Sequence, residues 1–401
     1  MTTTEAQPAP GTTTSPAPGR LVALDTARFL AIVGMVAAHV ALLPIPGLSL
    51  LVDGPPSTMF AILGGASAVL ATRGLVARSG RTAATLSLVA RGLVLVAVGL
   101  LLDLAPGPVV VVLVPFGVTL ILLAVLLPLR SRWLLVIATV LAVAGPIGNH
   151  ALRQALQLRT MGELSFASPW AFTRSVLVTG TYPVVTWLVY ALIGVVVIRA
   201  VLAAREQGTV RPLARRLTWW GLGASVVATG VSVVQVQLSV VPRMADLGLD
   251  TFVTHLVALS PSFGGPIGGG LDAVLTATPH SGTTGDIVRT GGLALAVVGL
   301  LLRRGLTDRP VRWPGRIVRA GGAAPLTIYV VHVLAYRLLW ATPGAVSPDG
   351  STVWWLTGVG GFGVQLGIVL AVSTVLVVVG RRGPLETGVS AVARTAARLA
   401  R

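Results

Sequence analysis

The chain contains no cysteine and no lysine, and only 11% of its 401 residues are charged. The missing cysteines exclude disulfide scaffolds, zinc–cysteine centres and thiol nucleophiles. The scarcity of charge, beside 54% apolar residues and a mean hydropathy of +0.86, excludes a soluble globular protein, which could not cover its surface with so few ionised groups. Histidine is also sparse, with five in all. There is no H-E-x-x-H run and no cluster of histidine and carboxylate at ligand spacing, so no metal centre is expected. Carboxylate pairs suited to glycoside hydrolysis are not visible either.

What is present is a series of apolar runs of about twenty residues. Ten are read, at 25–43, 57–76, 84–103, 109–128, 133–149, 182–203, 217–240, 286–302, 321–341 and 354–380. The formal charge of +17 would suggest nucleic acid, but the arginines that carry it lie between these runs. Every second loop is basic: 22 arginines fall on one side and five on the other, leaving out Arg28, Arg91 and Arg337 within or at the edge of spans. The positive-inside rule then puts both termini in the cytoplasm, and an odd number of spans would break the partition. Trp133, Trp219, Trp220, Trp340, Trp354 and Trp355 fall at span ends, as interfacial indoles should.

The expected fold is all-α, a polytopic membrane bundle of about ten transmembrane helices with both termini cytoplasmic. Residues 1–20 read as a disordered cytoplasmic tail, 21–383 as the transmembrane domain and 384–401 as a basic cytoplasmic tail. No cleavable signal peptide is visible, and the first run is read as a retained span. The loop from about 241 to 285 contains PSFGGPIGGG, Pro261 to Gly270, which fits an ordinary flexible loop or a re-entrant segment.

Polar residues inside apolar runs are costly, so they are the first candidates for chemistry. The run ALDTARFLAIVGMVAAHV carries Asp25 and Arg28, three apart on one helical face, and His39, eleven residues and about 16 Å further along the axis. The bland alternative is a snorkelling arginine, its counter-ion and a histidine bonded to a neighbouring helix. His332 lies about ten residues into its own run, at a depth expected to match that of His39 near mid-membrane, so the two can line one cavity. Tyr182 and Trp187 open the sixth run, where an aromatic belt competes with a binding role. PHSGTTGD supplies His280, Ser281 and Asp286 before the eighth run, in a loop that would be polar in any case. In GGAS, Gly64 to Ser67, the small residues read as helix packing.

ALDTARFLAIVGMVAAHV resembles the first-span signature L-D-x-x-R-G-x-A-x-x-x-M of the transmembrane acyltransferase superfamily. The similarity is greatest to bacterial heparan-alpha-glucosaminide N-acetyltransferase-like and DUF418 proteins. Arg28, ten intervening residues and His39 also match the R-x10-H motif of the acyltransferase-3 family. GTYPVVTWLVYALIGVVVIR, PHSGTTGDIVRTGGLALAVVGLLL and GGAAPLTIYVVHVL look like later segments of the heparan-acetyltransferase-like group. Phe29 stands where the family usually has glycine, and the loop from Ala41 to Asp53 lacks the histidine that is catalytic in the lysosomal enzyme, so His39 would act in its place.

The resemblance implies acyl transfer from a cytosolic acyl-CoA, acetyl-CoA first among them, to a glycan, amino sugar or other small-molecule acceptor of the envelope. His39, Arg28 and Asp25 are the catalytic candidates, and His332, Tyr182, Trp187 and His280 the substrate-binding ones. The partners expected are the lipid bilayer, acyl-CoA and the acceptor, with no nucleic acid; an oligomer is compatible. The location is the cytoplasmic membrane of a bacterium, crossed many times. The alternative function is proton-coupled transport or export of a small amphiphile.

Overall fold

The computed structural model describes residues 21–42, 49–105, 107–158, 164–266, 270–304 and 312–400. The disordered tail expected at 1–20 lies outside these. Among the described residues the chain is helical, with one isolated bridge between Val346 and Thr352 and no strand. The helices are α1 (Val22–His39), α2 (Pro55–Asp103), α3 (Leu113–Leu126), α4 (Ser131–Ala155), α5 (Pro169–Arg174), α6 (Val184–Glu206) and α7 (Val210–Gln235). They are followed by α8 (Val241–Asp246), α9 (Thr251–Leu259), α10 (Thr284–Arg303), α11 (Trp313–Ala323), α12 (Pro325–Trp340), α13 (Gly358–Val379) and α14 (Pro384–Arg398).

Among the described residues, seven helices are long and apolar enough to cross a membrane, or eight if the bent pair α11 and α12 counts as one crossing. The runs at 57–76 and 84–103 fall within α2, interrupted only at Gly80, whose φ of 81° and ψ of 177° suit glycine. At 1.5 Å per residue α2 has about 74 Å of helix, enough for two crossings of a core about 30 Å thick. Leu63 and Leu95 wall the same cavity, so the two halves double back on each other about Gly80. The run at 109–128 yields α3, a 14-residue helix of about 21 Å. The run at 321–341 is not one straight helix. It breaks at Ala324, where α11 and α12 meet at 85° and Pro325 starts the second helix without needing an amide proton.

The buried core gathers Ile32 of α1, Ile62 and Leu63 of α2, Leu192 and Ile198 of α6 and Ile328 of α12. By contrast α4, α7 and α13 bury little of their apolar surface, as helices facing lipid would. Close helix contacts run through small residues. Gly65 lies against the backbone of Ala191, Gly194 against Ile62, and Gly221 of α7 against Gly292 of α10.

The bundle has two polar ends. At one, the backbone of Asp25 meets Gly322, and Glu386 of α14 caps α12 by accepting from the amides of Leu326 (2.7 Å) and Thr327 (3.0 Å). The segment expected as a basic tail is therefore largely α14, whose Val389, Ala393 and Ala397 are buried. At the other end, the Gly358 amide donates to Val40 O (2.7 Å), and Arg337 donates to the carbonyls of Leu102 and Val109 beside Asp103. The segment Pro261 to Gly270 is described except for 267–269. It folds against this same end, with Gly264 donating to His280 O (2.7 Å) and its own carbonyl accepting from Asn149 Nδ2 (2.5 Å).

Candidate functional site

Helix α1 ends at His39, so this histidine lies at a helix terminus. The termination has a backbone cause. Val40 leaves helical geometry and turns its carbonyl to the Gly358 amide at the start of α13. His332 sits halfway along α12 and is 2% exposed. The two imidazoles are in contact, His39 Nδ1 to His332 Nε2 at 2.9 Å, with their rings parallel to within 3°. Behind them, His332 Nδ1 lies 2.8 Å from Gln365 Oε1 on α13, which is fully buried. Tyr336, one turn beyond His332, donates to His39 O (3.0 Å) and Leu356 O (3.2 Å) and fixes the end of α1 against α12.

This row of polar atoms has a direction. With the Gln365 oxygen toward the ring, His332 must carry its proton on Nδ1, which leaves Nε2 as an acceptor. His39 then donates from Nδ1, and the lone pair stays on its Nε2. A cavity of about 300 Å³ adjoins this end of α1, lined by Ala38, Ala41, Ser49, Val52, Asp53 and Ser260 among others.

Asp25 and Arg28 form an ion pair of 2.7 Å on α1, with Arg28 about 16 Å along the helix from His39. Asp25 falls in the first turn, where the helix dipole favours a carboxylate. Arg28 also donates to Ser67 Oγ (2.8 Å), so the GGAS segment contributes a polar contact as well as packing. Arg28 and Ser67 border a second cavity, of about 240 Å³, between the two halves of α2, α3, α12 and α14. The one-face stripe expected from Arg28 to His39 is therefore occupied at its two ends by different neighbourhoods.

Tyr182, Trp187 and His280 come together, but in a row of their own. The His280 ring stacks on Phe263 at 5.9 Å and meets the Tyr182 ring edge-on at 5.6 Å. The row continues from Tyr182 to Trp187 (5.7 Å), Phe116 (5.8 Å) and Phe60 (5.5 Å), and the last two wall the 240 Å³ cavity. Trp187 is buried, so it is not an aromatic-belt residue. Burial, with the nearby positive charge of Arg289, pushes the His280 pKa down to about 4, and the ring is neutral at pH 7.

Sequence reasoning singled out Asp286 but missed its partner and several other participants. Asp286, in the first turn of α10, and Arg289, one turn on, form a buried ion pair of 3.1 Å, and Arg289 donates to the carbonyls of Leu50 (3.0 Å) and Asp53 (3.3 Å). That clamp holds the loop lining the 300 Å³ cavity. The i, i+3 spacing of Asp286 and Arg289 was a usable signal. Gln365 was signalled by being a lone amide in a strongly apolar run, and Glu386 by following Pro384 at a helix start. Among the described residues no group of three or more histidines and carboxylates is placed to hold a metal ion. No family model matches the chain, and no curated protein matches it.

Proposed function

We propose that the protein is a multi-pass acyltransferase of a bacterial cytoplasmic membrane, moving an acyl group from cytosolic acyl-CoA to an envelope acceptor. One observation carries the reading: His39 Nδ1 lies 2.9 Å from His332 Nε2 and His332 Nδ1 2.8 Å from Gln365 Oε1, an order of contacts that in the neutral pair puts the lone pair on His39 Nε2. In the reaction, His39 Nε2 takes the proton from an acceptor hydroxyl or amine as that atom attacks the thioester carbonyl. The carbon–sulfur bond breaks, and the thiolate leaves with the proton returned from the imidazolium. His332 shares the transient positive charge through the 2.9 Å contact. Arg28 lies nearer the cytoplasmic end and serves the donor, held in place by Asp25 and Ser67. His280, Tyr182 and Trp187 border the path from the opposite face.

The same proposal includes ten crossings with both termini cytoplasmic. The arginine partition supports it, as does the shared end of α1, α12 and α14. The test is transfer of label from acetyl-CoA to pooled envelope extract by purified protein in nanodiscs. His39→Ala is expected to lower turnover at least ~100-fold while the protein stays folded. Retained turnover removes His39 as the base.

The 85° break between α11 and α12 favours a second reading, proton-coupled export of an amphiphile, because broken helices frame transporter sites. The α12 terminus at that break is already capped by Glu386, which leaves fewer free amides for a substrate. Flux into proteoliposomes without thioester cleavage would select this reading.

A further inference from the structure

We propose that the cavity of about 300 Å³ at the end of α1 remote from Asp25 binds a small organic cation, a primary ammonium group on a short carbon skeleton, with Asp53 as its counter-ion. Asp53 lines the cavity and is half-buried, and among the described residues its carboxylate accepts no hydrogen bond and forms no ion pair. A charge so placed is costly until a partner of opposite sign reaches it. Arg289 is committed elsewhere. Its guanidinium is paired with Asp286 at 3.1 Å and bonds Asp53 at the backbone carbonyl, so two carboxylates stand beside one positive charge.

The walls favour a positive charge as well. Helices α1 and α9 both end at the cavity, with Ala37 and Ala38 in the last turn of one and Leu256 and Leu259 in the last turn of the other, and a helix C-terminus attracts cations. Ser260 donates its hydroxyl proton to Leu256 O (2.8 Å), which leaves its oxygen as an acceptor. Among the described residues lining the cavity there is no arginine and no histidine, and residues 43–48 carry no charged side chain. The same walls select the kind of cation. A hard metal ion takes about six oxygen ligands, which one carboxylate among alanine, valine and leucine side chains does not supply. A quaternary ammonium is recognised by aromatic faces, and among the described residues no aromatic ring lines the cavity. An ammonium with N–H donors and a small apolar body matches the carboxylate, the serine oxygen and the apolar walls together. The volume is that of a small ligand pocket.

The experiment is calorimetric titration of the full chain in an uncharged detergent with cyclohexylamine, cyclohexanol and cyclohexanecarboxylate, at about pH 8, where carboxylates are ionised and aliphatic amines protonated. No acyl-CoA is present, so the result does not depend on acyl transfer. The ammonium is expected to saturate a single site and to bind at least about tenfold more tightly than the alcohol, the size of one charge-assisted hydrogen bond. Asp53→Asn should remove that preference and leave the alcohol unchanged, whereas Asp53→Glu, which keeps the charge, should retain it. Ser260→Trp, at an exposed position on the cavity wall, should weaken both ligands, with the unfolding midpoint reporting that each variant is folded. An ammonium that binds no better than the alcohol, a carboxylate that binds as well, a preference that survives Asp53→Asn, or Ser260→Trp without effect on either ligand would overturn the proposal.

Discussion

The tetrad Asp-x-x-Arg occurs twice at a helix start, as Asp25 and Arg28 on α1 and as Asp286 and Arg289 on α10. Both form i, i+3 ion pairs, of 2.7 and 3.1 Å. Their settings differ. The Arg289 and Asp286 side chains are only 4% and 5% exposed, and the two terminal nitrogens of the guanidinium also donate to two backbone carbonyls, while its Nε is buried without a partner. The Arg28 side chain is 15% exposed, reaches the Ser67 hydroxyl and borders a cavity. One motif thus makes a loop clamp where it is sealed and a cavity wall where it is open. Spacing sets the pair, and surroundings set its work.

The largest expected effect follows from the sealed copy. Arg289→Ala leaves Asp286 buried without its counter-ion and releases Leu50 and Asp53, at a cost of about 3–5 kcal/mol. Chemical unfolding in detergent micelles, read by tryptophan fluorescence, measures this. A smaller loss than that of Arg28→Ala would end the distinction between clamp and wall. Arg28→Ala itself should cost about 1–2 kcal/mol, because Asp25 keeps the favourable dipole of the α1 terminus. Its consequence should fall on donor use, a raised KM for acyl-CoA in the transfer assay with a smaller change in kcat. An unchanged KM would mean that Arg28, like Arg289, is structural.

The two copies were not equally legible. Asp25 and Arg28 stood inside an apolar run, where charge is conspicuous, whereas Asp286 and Arg289 stood at the edge of a loop that polar residues would occupy anyway. Hydropathy located the helices because burial in lipid demands long apolar runs. It could not report direction, so the 85° break at Ala324 and the reversal at Gly80 were invisible. The comparable depth of His39 and His332 was readable from residue counts. Their contact was not, since it depends on α1 lying beside α12, which no single-sequence pattern encodes. Gln365 was overlooked because an amide carries no charge to attract notice, though its burial in α13 required a partner.

The smallest expected effect probes how far the charge of Arg289 reaches. His280 has its pKa lowered to about 4 by burial and by that guanidinium, against about 6.5 when unfolded. Between these values the unfolded chain binds the proton and the folded chain does not, so the contribution of this imidazole to stability rises with pH across the window, against the opposite slope of Asp53, whose carboxyl burial pushes up to about 6. The contribution is complete above about pH 6.5 and is lost as the pH falls toward 4. His280→Gln should therefore flatten this part of the acid limb in a profile of unfolding midpoint against pH. In Arg289→Gln, His280 titrates closer to 6.5 and the window should narrow from its acid side. No equivalent limb is expected to respond to Arg28→Gln, because that arginine bonds Asp25 and Ser67 and the nearest histidine on its helix, His39, is about 16 Å further along. An acid limb that moved with Arg28 and ignored Arg289 would reverse the assignment of the two pairs.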